Sequence, residues 1–217
     1  YLAKAQEGDA EAQAVLAYMY DTGKGAPQDK VEALRWYRTA AGQGNTMAQR
    51  NLACLLIEGD GVEMDKAEGF KWYRAAADAG DVEAFFDLGV CYEYGEGVTM
   101  DLEEAAKCYR LAAENGNMRA QHNLGLCSEF GKGVEVDMAE AVKWYRRAAK
   151  QGCDRAQNNL GECYEDGKGV EPDMAEAARW YRRSAKQGFA PAQNNMGRCY
   201  FIGAGMKKDE AKAVKWY

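Results

Sequence analysis

A tyrosine recurs every 36 residues, at Tyr1, Tyr37, Tyr73, Tyr109, Tyr145, Tyr181 and Tyr217, with no insertion or deletion between copies. A strict period of this length restricts the chain to repeat architectures, in which each unit packs on its neighbours rather than around one central core. The tyrosine does not recur alone. Residues 117–152 read NMRAQHNLGLCSEFGKGVEVDMAEAVKWYRRAAKQG and residues 153–188 read CDRAQNNLGECYEDGKGVEPDMAEAARWYRRSAKQG. We therefore divide a single array, residues 1–217, into units 9–44, 45–80, 81–116, 117–152, 153–188 and 189–217, with residues 1–8 as the end of a preceding helix.

Within the unit that starts at Asn117, Ala120, Leu124 and Cys127 fall at helical spacing and form a one-sided apolar stripe, here called helix A. The segment ends in Gly131-Lys132-Gly133, and both glycines have equivalents in every unit, as expected where the backbone needs positive φ to leave a helix. Gly125 to Lys132 superficially resembles a phosphate-binding loop, but the glycines are too far apart and Gly133 stands where a hydroxyl is required. Asp137 and Glu140 then predict a capping box at the start of a second helix, B, and recur as Asp29/Glu32, Asp65/Glu68, Asp101/Glu104 and Asp173/Glu176. Helix B carries Ala141, Trp144, Tyr145 and Ala148 and stops at Gly152; small and large side chains of this kind interlock helices, and Cys108 in place of the tryptophan predicts a looser contact.

The pattern A-x-x-x-L-G-x-x-Y-x-x-G-x-G-V followed by D-x-x-E-A-x-x-W-Y-x-x-A-A-x-x-G resembles the Sel-like repeat family, the 36-residue relative of the tetratricopeptide repeat. It covers essentially the whole chain; departures include Ala17, Ala53, Ser128, Leu56 and Gly69. The resemblance implies an all-α fold, a tetratricopeptide-like α/α superhelical solenoid of six helix-turn-helix repeats, and an adaptor or scaffold role in which the A helices line a concave face.

The chemistry visible in the sequence excludes several functions. Acidic residues outnumber basic ones, 34 to 28, without a block of like charge, which disfavours nucleic acid as a partner; no apolar run is long enough for membrane insertion. One histidine, His122, and two serines, Ser128 and Ser184, leave no catalytic triad, and no C-x-x-C, H-E-x-x-H or EF-hand spacing occurs. We expect no enzyme, no catalytic residue, no metal and no cofactor. Cys91, Cys127, Cys163 and Cys199 share one position in four successive units, too far apart to pair, which predicts buried thiols and a reducing, cytoplasmic location.

Binding chemistry is expected on helix A positions outside the apolar stripe. Arg50, Phe86, Tyr94, Arg119, His122, Phe130, Arg155, Arg198 and Phe201 supply the aromatic and arginine side chains favoured at protein interfaces. A polar ladder of Asn51, Asp87, Asn123, Asn159 and Asn195 runs beside them. Asparagine can donate to and accept from a peptide backbone, and Arg119/Asn123 and Arg155/Asn159 could grip a C-terminal carboxylate; the alternative is that the ladder is structural. The expected partner is a protein or peptide ligand in the concave groove, with an architectural spacer within a larger protein as the competing reading. The opening YLAKAQEG and the closing Trp216-Tyr217 read as helix fragments, so the parent is expected to continue in both directions or the ends to self-associate end to end.

Overall fold

The computed structural model describes all 217 residues and divides them into two compact units, Tyr1–Cys108 and Tyr109–Tyr217. The first contains α1 (Leu2–Gln6), α2 (Ala10–Thr22), α3 (Lys30–Gly42), α4 (Thr46–Glu58), α5 (Lys66–Asp78) and α6 (Val82–Tyr94). The boundary falls inside α7 (Leu102–Glu114). The second continues with α8 (Met118–Phe130), α9 (Met138–Lys150), α10 (Asp154–Asp166), α11 (Met174–Lys186), α12 (Ala190–Ile202) and α13 (Glu210–Trp216). There is no strand. The fold class is the all-α helical-repeat solenoid, built from hairpins that pack on the hairpins before and after them in each unit.

Each hairpin is set by the same local chemistry. Helix A ends on a left-handed glycine, such as Gly131 at φ 69, whose N–H donates to the Cys127 carbonyl. The second glycine of the turn answers to a further constraint, because a Cβ on Gly169 would lie 2.2 Å from the Met138 carbonyl oxygen and one on Gly205 would lie 2.0 Å from that of Met174. These turns rest directly on the first turn of the preceding helix B, where only a hydrogen fits.

Helix B starts on an aspartate whose carboxylate accepts from the backbone, Asp137 from the Glu140 N–H at 2.9 Å and Asp29 from Val31 and Glu32 at 3.0 Å. Only this half of the expected capping box forms. The backbone N–H of Asp137 already donates to the Ser128 carbonyl, as that of Asp173 does to Tyr164, so the glutamate has no amide to reach back to. In two repeats it accepts from the tryptophan instead, Trp144 Nε1 donating to Glu140 at 2.7 Å and Trp72 Nε1 to Glu68 at 3.2 Å, whereas the buried Nε1 of Trp180 has no partner.

The recurring tyrosine is the core of each hairpin. Tyr37, Tyr109, Tyr145 and Tyr181 have no exposed surface. The rings of Tyr145 and Tyr181 lie against Gly125 and Gly161 of their own helix A, where an added Cβ would come within 2.5 and 2.6 Å. In the second hairpin the glycine has moved to the other helix: Ala53 occupies the helix A position, and Gly69 on α5 takes the close approach, where an added Cβ would lie 2.6 Å from Ile57.

A second periodic feature, glutamine, crosses from repeat to repeat. Gln13, Gln49, Gln121, Gln157 and Gln193 each donate to a carbonyl near the end of the preceding helix, Ala5, Ala41, Ala113, Ala149 and Ala185. The side-chain oxygen then accepts from a glutamine just past the end of the hairpin's own helix B: Gln43 to Gln13 at 2.7 Å, Gln151 to Gln121 at 2.8 Å and Gln187 to Gln157 at 2.9 Å. In the second repeat Ala79 replaces that donor, and the buried oxygen of Gln49 has no partner. Phe85 replaces the next rung altogether.

Candidate helix A binding surface

Three members of the asparagine ladder, Asn51, Asn159 and Asn195, are half-buried and hydrogen-bonded to the preceding repeat. Asn51 donates to the Tyr37 hydroxyl at 3.3 Å, and that hydroxyl donates to Asp21 at 3.2 Å. In the second unit the Tyr145 hydroxyl donates to Glu129 at 2.5 Å and is also hydrogen-bonded by Asn159. The Tyr181 hydroxyl donates to Glu165 at 2.7 Å, and Arg198 reaches the same carboxylate oxygen at 2.5 Å. Asn195 donates to Asn158, which in turn donates to Glu162. Burial raises these tyrosine pKa values above the ordinary range, with the carboxylate partners adding to the effect. These bonds give Asn51, Asn159 and Asn195 a structural explanation, each joining one repeat to the one before it.

Three expected contact residues are not on an open surface. Phe86 and His122 are each only 8% exposed, because helix A position six faces the adjoining hairpin rather than solvent. Arg50 is half-buried, with Nε 3.6 Å from the Asp81 carboxylate, a separation for an ion pair and too long for a hydrogen bond. His122 is hydrogen-bonded by Asn123 and lies 3.5 Å from Asn159 Nδ2, with donor and acceptor set by the tautomer. Burial lowers its pKa below 6.5, and neighbouring Arg155 pushes the same way. A neutral, enclosed imidazole of this kind organises the repeat joint.

Other expected residues are exposed. Tyr94, Phe130 and Phe201 are 70%, 62% and 54% accessible at the C-terminal ends of α6, α8 and α12. Ile202, which the sequence reading passed over, is 60% accessible and occupies the same repeat position as Tyr94 and Phe130. Arg119, Arg155 and Arg198 are exposed as well.

In the first unit two equivalent clefts open between successive A helices. The smaller, of about 130 Å³, contains Lys30, whose ammonium bridges Asp21 at 2.7 Å and Asp60 at 2.6 Å. One repeat later Ile57 stands in place of Asp21, Lys66 binds only Glu96 at 3.0 Å, and the cleft widens to about 290 Å³ beside Tyr73, Asp87 and Cys91. Burial pushes the Cys91 thiol up to about 12 and that of Cys54 up to about 11. Both stay protonated, so neither is an activated nucleophile. All seven cysteines are free, no group of three or more His, Cys, Asp or Glu side chains is placed to hold a metal ion, and no helix is long and apolar enough to cross a membrane.

A family description, the Sel1 repeat, matches residues 10–45, 46–81, 82–117, 119–153, 154–189 and 190–217. Among solved structures, the chain is similar to c5321, a protective antigen of uropathogenic Escherichia coli strains displaying an SLR fold, with 38% identity and a TM-score of 0.95. That match covers 98% of this chain but only 46% of the antigen, so the chain spans about half of that protein's length. It is also similar to a Sel1 repeat protein from Oxalobacter formigenes, with 34% identity, a TM-score of 0.86, and coverage of 96% of this chain and 84% of that one. A comparison with curated proteins finds no match.

Proposed function

The chain belongs to the Sel1 repeat family, a class of non-catalytic helical-repeat scaffolds that generally mediate protein–protein interaction, and from that premise we propose that it holds a peptide segment or protein surface against the exposed ends of its A helices. The observation that carries this reading is a division of labour among side chains. Those that recur bind the repeats to one another, whereas Tyr94, Phe130, Phe201 and Ile202 are large, apolar and open to solvent. Aromatic groups of this kind supply much of the energy of protein interfaces when a partner removes them from water. Arg198, one turn before Phe201, adds polar selectivity there, while Arg119 and Arg155 lie at the N-terminal ends of α8 and α10. Phe86, His122 and Arg50 support the surface from below, and Asn51, Asn123, Asn159 and Asn195 orient it rather than clamp a ligand. The free thiols support a reducing, cytoplasmic setting.

The test is affinity capture with the wild-type chain beside a Tyr94→Ala/Phe130→Ala/Phe201→Ala variant, read by mass spectrometry after matching their thermal melts. The scaffold reading expects a protein held directly by the wild type and lost by the variant. Identical capture by both would replace it with the spacer reading.

A further inference from the structure

The exposed faces of α9 and α11 carry eight basic side chains: Lys143, Arg146, Arg147 and Lys150, then Arg179, Arg182, Arg183 and Lys186. Only two of the eight meet a carboxylate, Lys143 with Glu140 and Arg179 with Glu176, each within its own helix. Arg146 and Arg182 donate to the hydroxyls of Tyr164 and Tyr200, neutral partners that bring no counter-charge. Helix α3 provides the contrast, because its Lys30, Arg35 and Arg38 all meet carboxylates; α5 lies between the two, with Lys66 paired to Glu96 and Lys71 and Arg74 outside the ion pairs.

Two of these arginines are also held in place. The Arg147 guanidinium lies 4.7 Å from the ring centroid of Trp144, and Arg183 lies 4.5 Å from that of Trp180, in equivalent positions one repeat apart. Stacking fixes the plane of the fork before any partner arrives and leaves its N–H groups free of carboxylates. Thr39 and Ala75 occupy the same repeat position in the first unit, so the Arg-on-Trp pair belongs to the second.

We propose that this face of α9 and α11 docks an acidic protein segment, whose Asp or Glu carboxylates are received by Arg147 and Arg183. The surface is an interaction site beyond the helix A ends and does not depend on them. A carboxylate matches the fork of a guanidinium in two parallel hydrogen bonds, and an acidic chain relieves the repulsion among cations that have no internal counter-ion. Two observations select a protein segment over other polyanions. Trp144 and Trp180 are only 2% and 7% exposed beneath their arginines, so no ring is open for a nucleobase to stack on. No large apolar side chain is exposed along either helix, so a lipid surface finds no anchor.

Fluorescence anisotropy with a fluorescein-labelled polyglutamate peptide tests this on the whole chain. We expect binding that weakens as salt rises, a loss of about tenfold or more in an Arg147→Ser/Arg183→Ser variant, and a smaller loss in Arg147→Lys/Arg183→Lys, which keeps the charge and removes the fork. A Lys71→Ser/Arg74→Ser variant, with the same charge change in the first unit, should bind like wild type. So should the Tyr94→Ala/Phe130→Ala/Phe201→Ala variant, which keeps this result separate from the fate of the helix A surface. Absence of binding, equal loss in the two serine pairs, or tighter binding of oligothymidylate or phosphatidylserine vesicles than of polyglutamate would overturn the proposal.

Discussion

The two compact units are made from one repeat and differ in how its recurring polar groups are used. The first has 10 basic and 20 acidic residues, a net charge of −10; the second has 18 and 14, a net of +4. In the first, ion pairs link one hairpin to the next, Arg38 to Glu68 at 2.6 Å and Lys66 to Glu96 at 3.0 Å, while the glutamine ladder loses its rung at Ala79. In the second the corresponding ion pair lengthens, Arg110 to Glu140 at 3.8 Å, the ladder runs through Gln151 and Gln187, and only two of the eight cations on α9 and α11 meet a carboxylate. A repeat joint can therefore be held by surface charge or by buried amides. The buried amides give the more demanding joint, because an orphaned buried acceptor costs more than an exposed ion pair contributes.

The largest effect should come from the turns. Gly169→Ala in the second unit drives a Cβ to 2.2 Å from a backbone oxygen at positive φ, and should destabilise by about 3 kcal/mol in chemical denaturation. Gly61→Ala in the first unit meets the Lys30 Cγ at 2.8 Å and its Cβ at 2.9 Å rather than a backbone oxygen, and should cost less, about 2 kcal/mol. Equal losses would erase that difference between the joints.

The glutamine ladder permits an exchange between the units. Gln151→Ala removes the donor to Gln121 and to the Gly116 carbonyl, and should cost about 2 kcal/mol. Ala79→Gln supplies the missing donor to Gln49 and should add about 1 kcal/mol, read as a higher melting temperature. No gain from Ala79→Gln would mean that the orphaned oxygen is satisfied in some other way.

The smallest effect concerns pH and has no counterpart in the first unit, since His122 is the single histidine. Its folded pKa lies below the unfolded value of 6.5, so between those two values the unfolded chain binds more protons. Stability should fall as pH drops below about 6.5, by at most about 1.4 kcal/mol per pH unit. His122→Gln should remove that slope; an unchanged slope would assign it to carboxylates.

Much of this was readable in the chain. The period, the turn glycines and the aspartate caps are local requirements of a helical hairpin, and each shows as a residue type at a fixed place. The exposure of Tyr94, Phe130 and Phe201 was legible for the same reason, since they stand at the end of helix A. Phe86 and His122 were misread as open because the periodicity of one helix does not reveal what the next hairpin covers. The missed glutamine ladder left a visible signal, a polar residue recurring on the buried side of helix A at Gln13, Gln49, Gln121, Gln157 and Gln193. The separation of charge was hidden by the net value of −6 for the whole chain, which averages two opposite halves. The half-formed capping box could not be read, because it depends on a carbonyl from the other helix of the hairpin.

The central claim is that recurring buried polar side chains hold the repeats together and leave binding to the exposed ones. Amide hydrogen exchange across the chain, followed by mass spectrometry, tests its structural half most directly. The account predicts faster exchange at the joint around Ala79 to Phe85 than at the joint around Gln151 to Gln157, and slower exchange at the first joint in Ala79→Gln. Equal protection at the two joints, or a first joint indifferent to the restored glutamine, would contradict it.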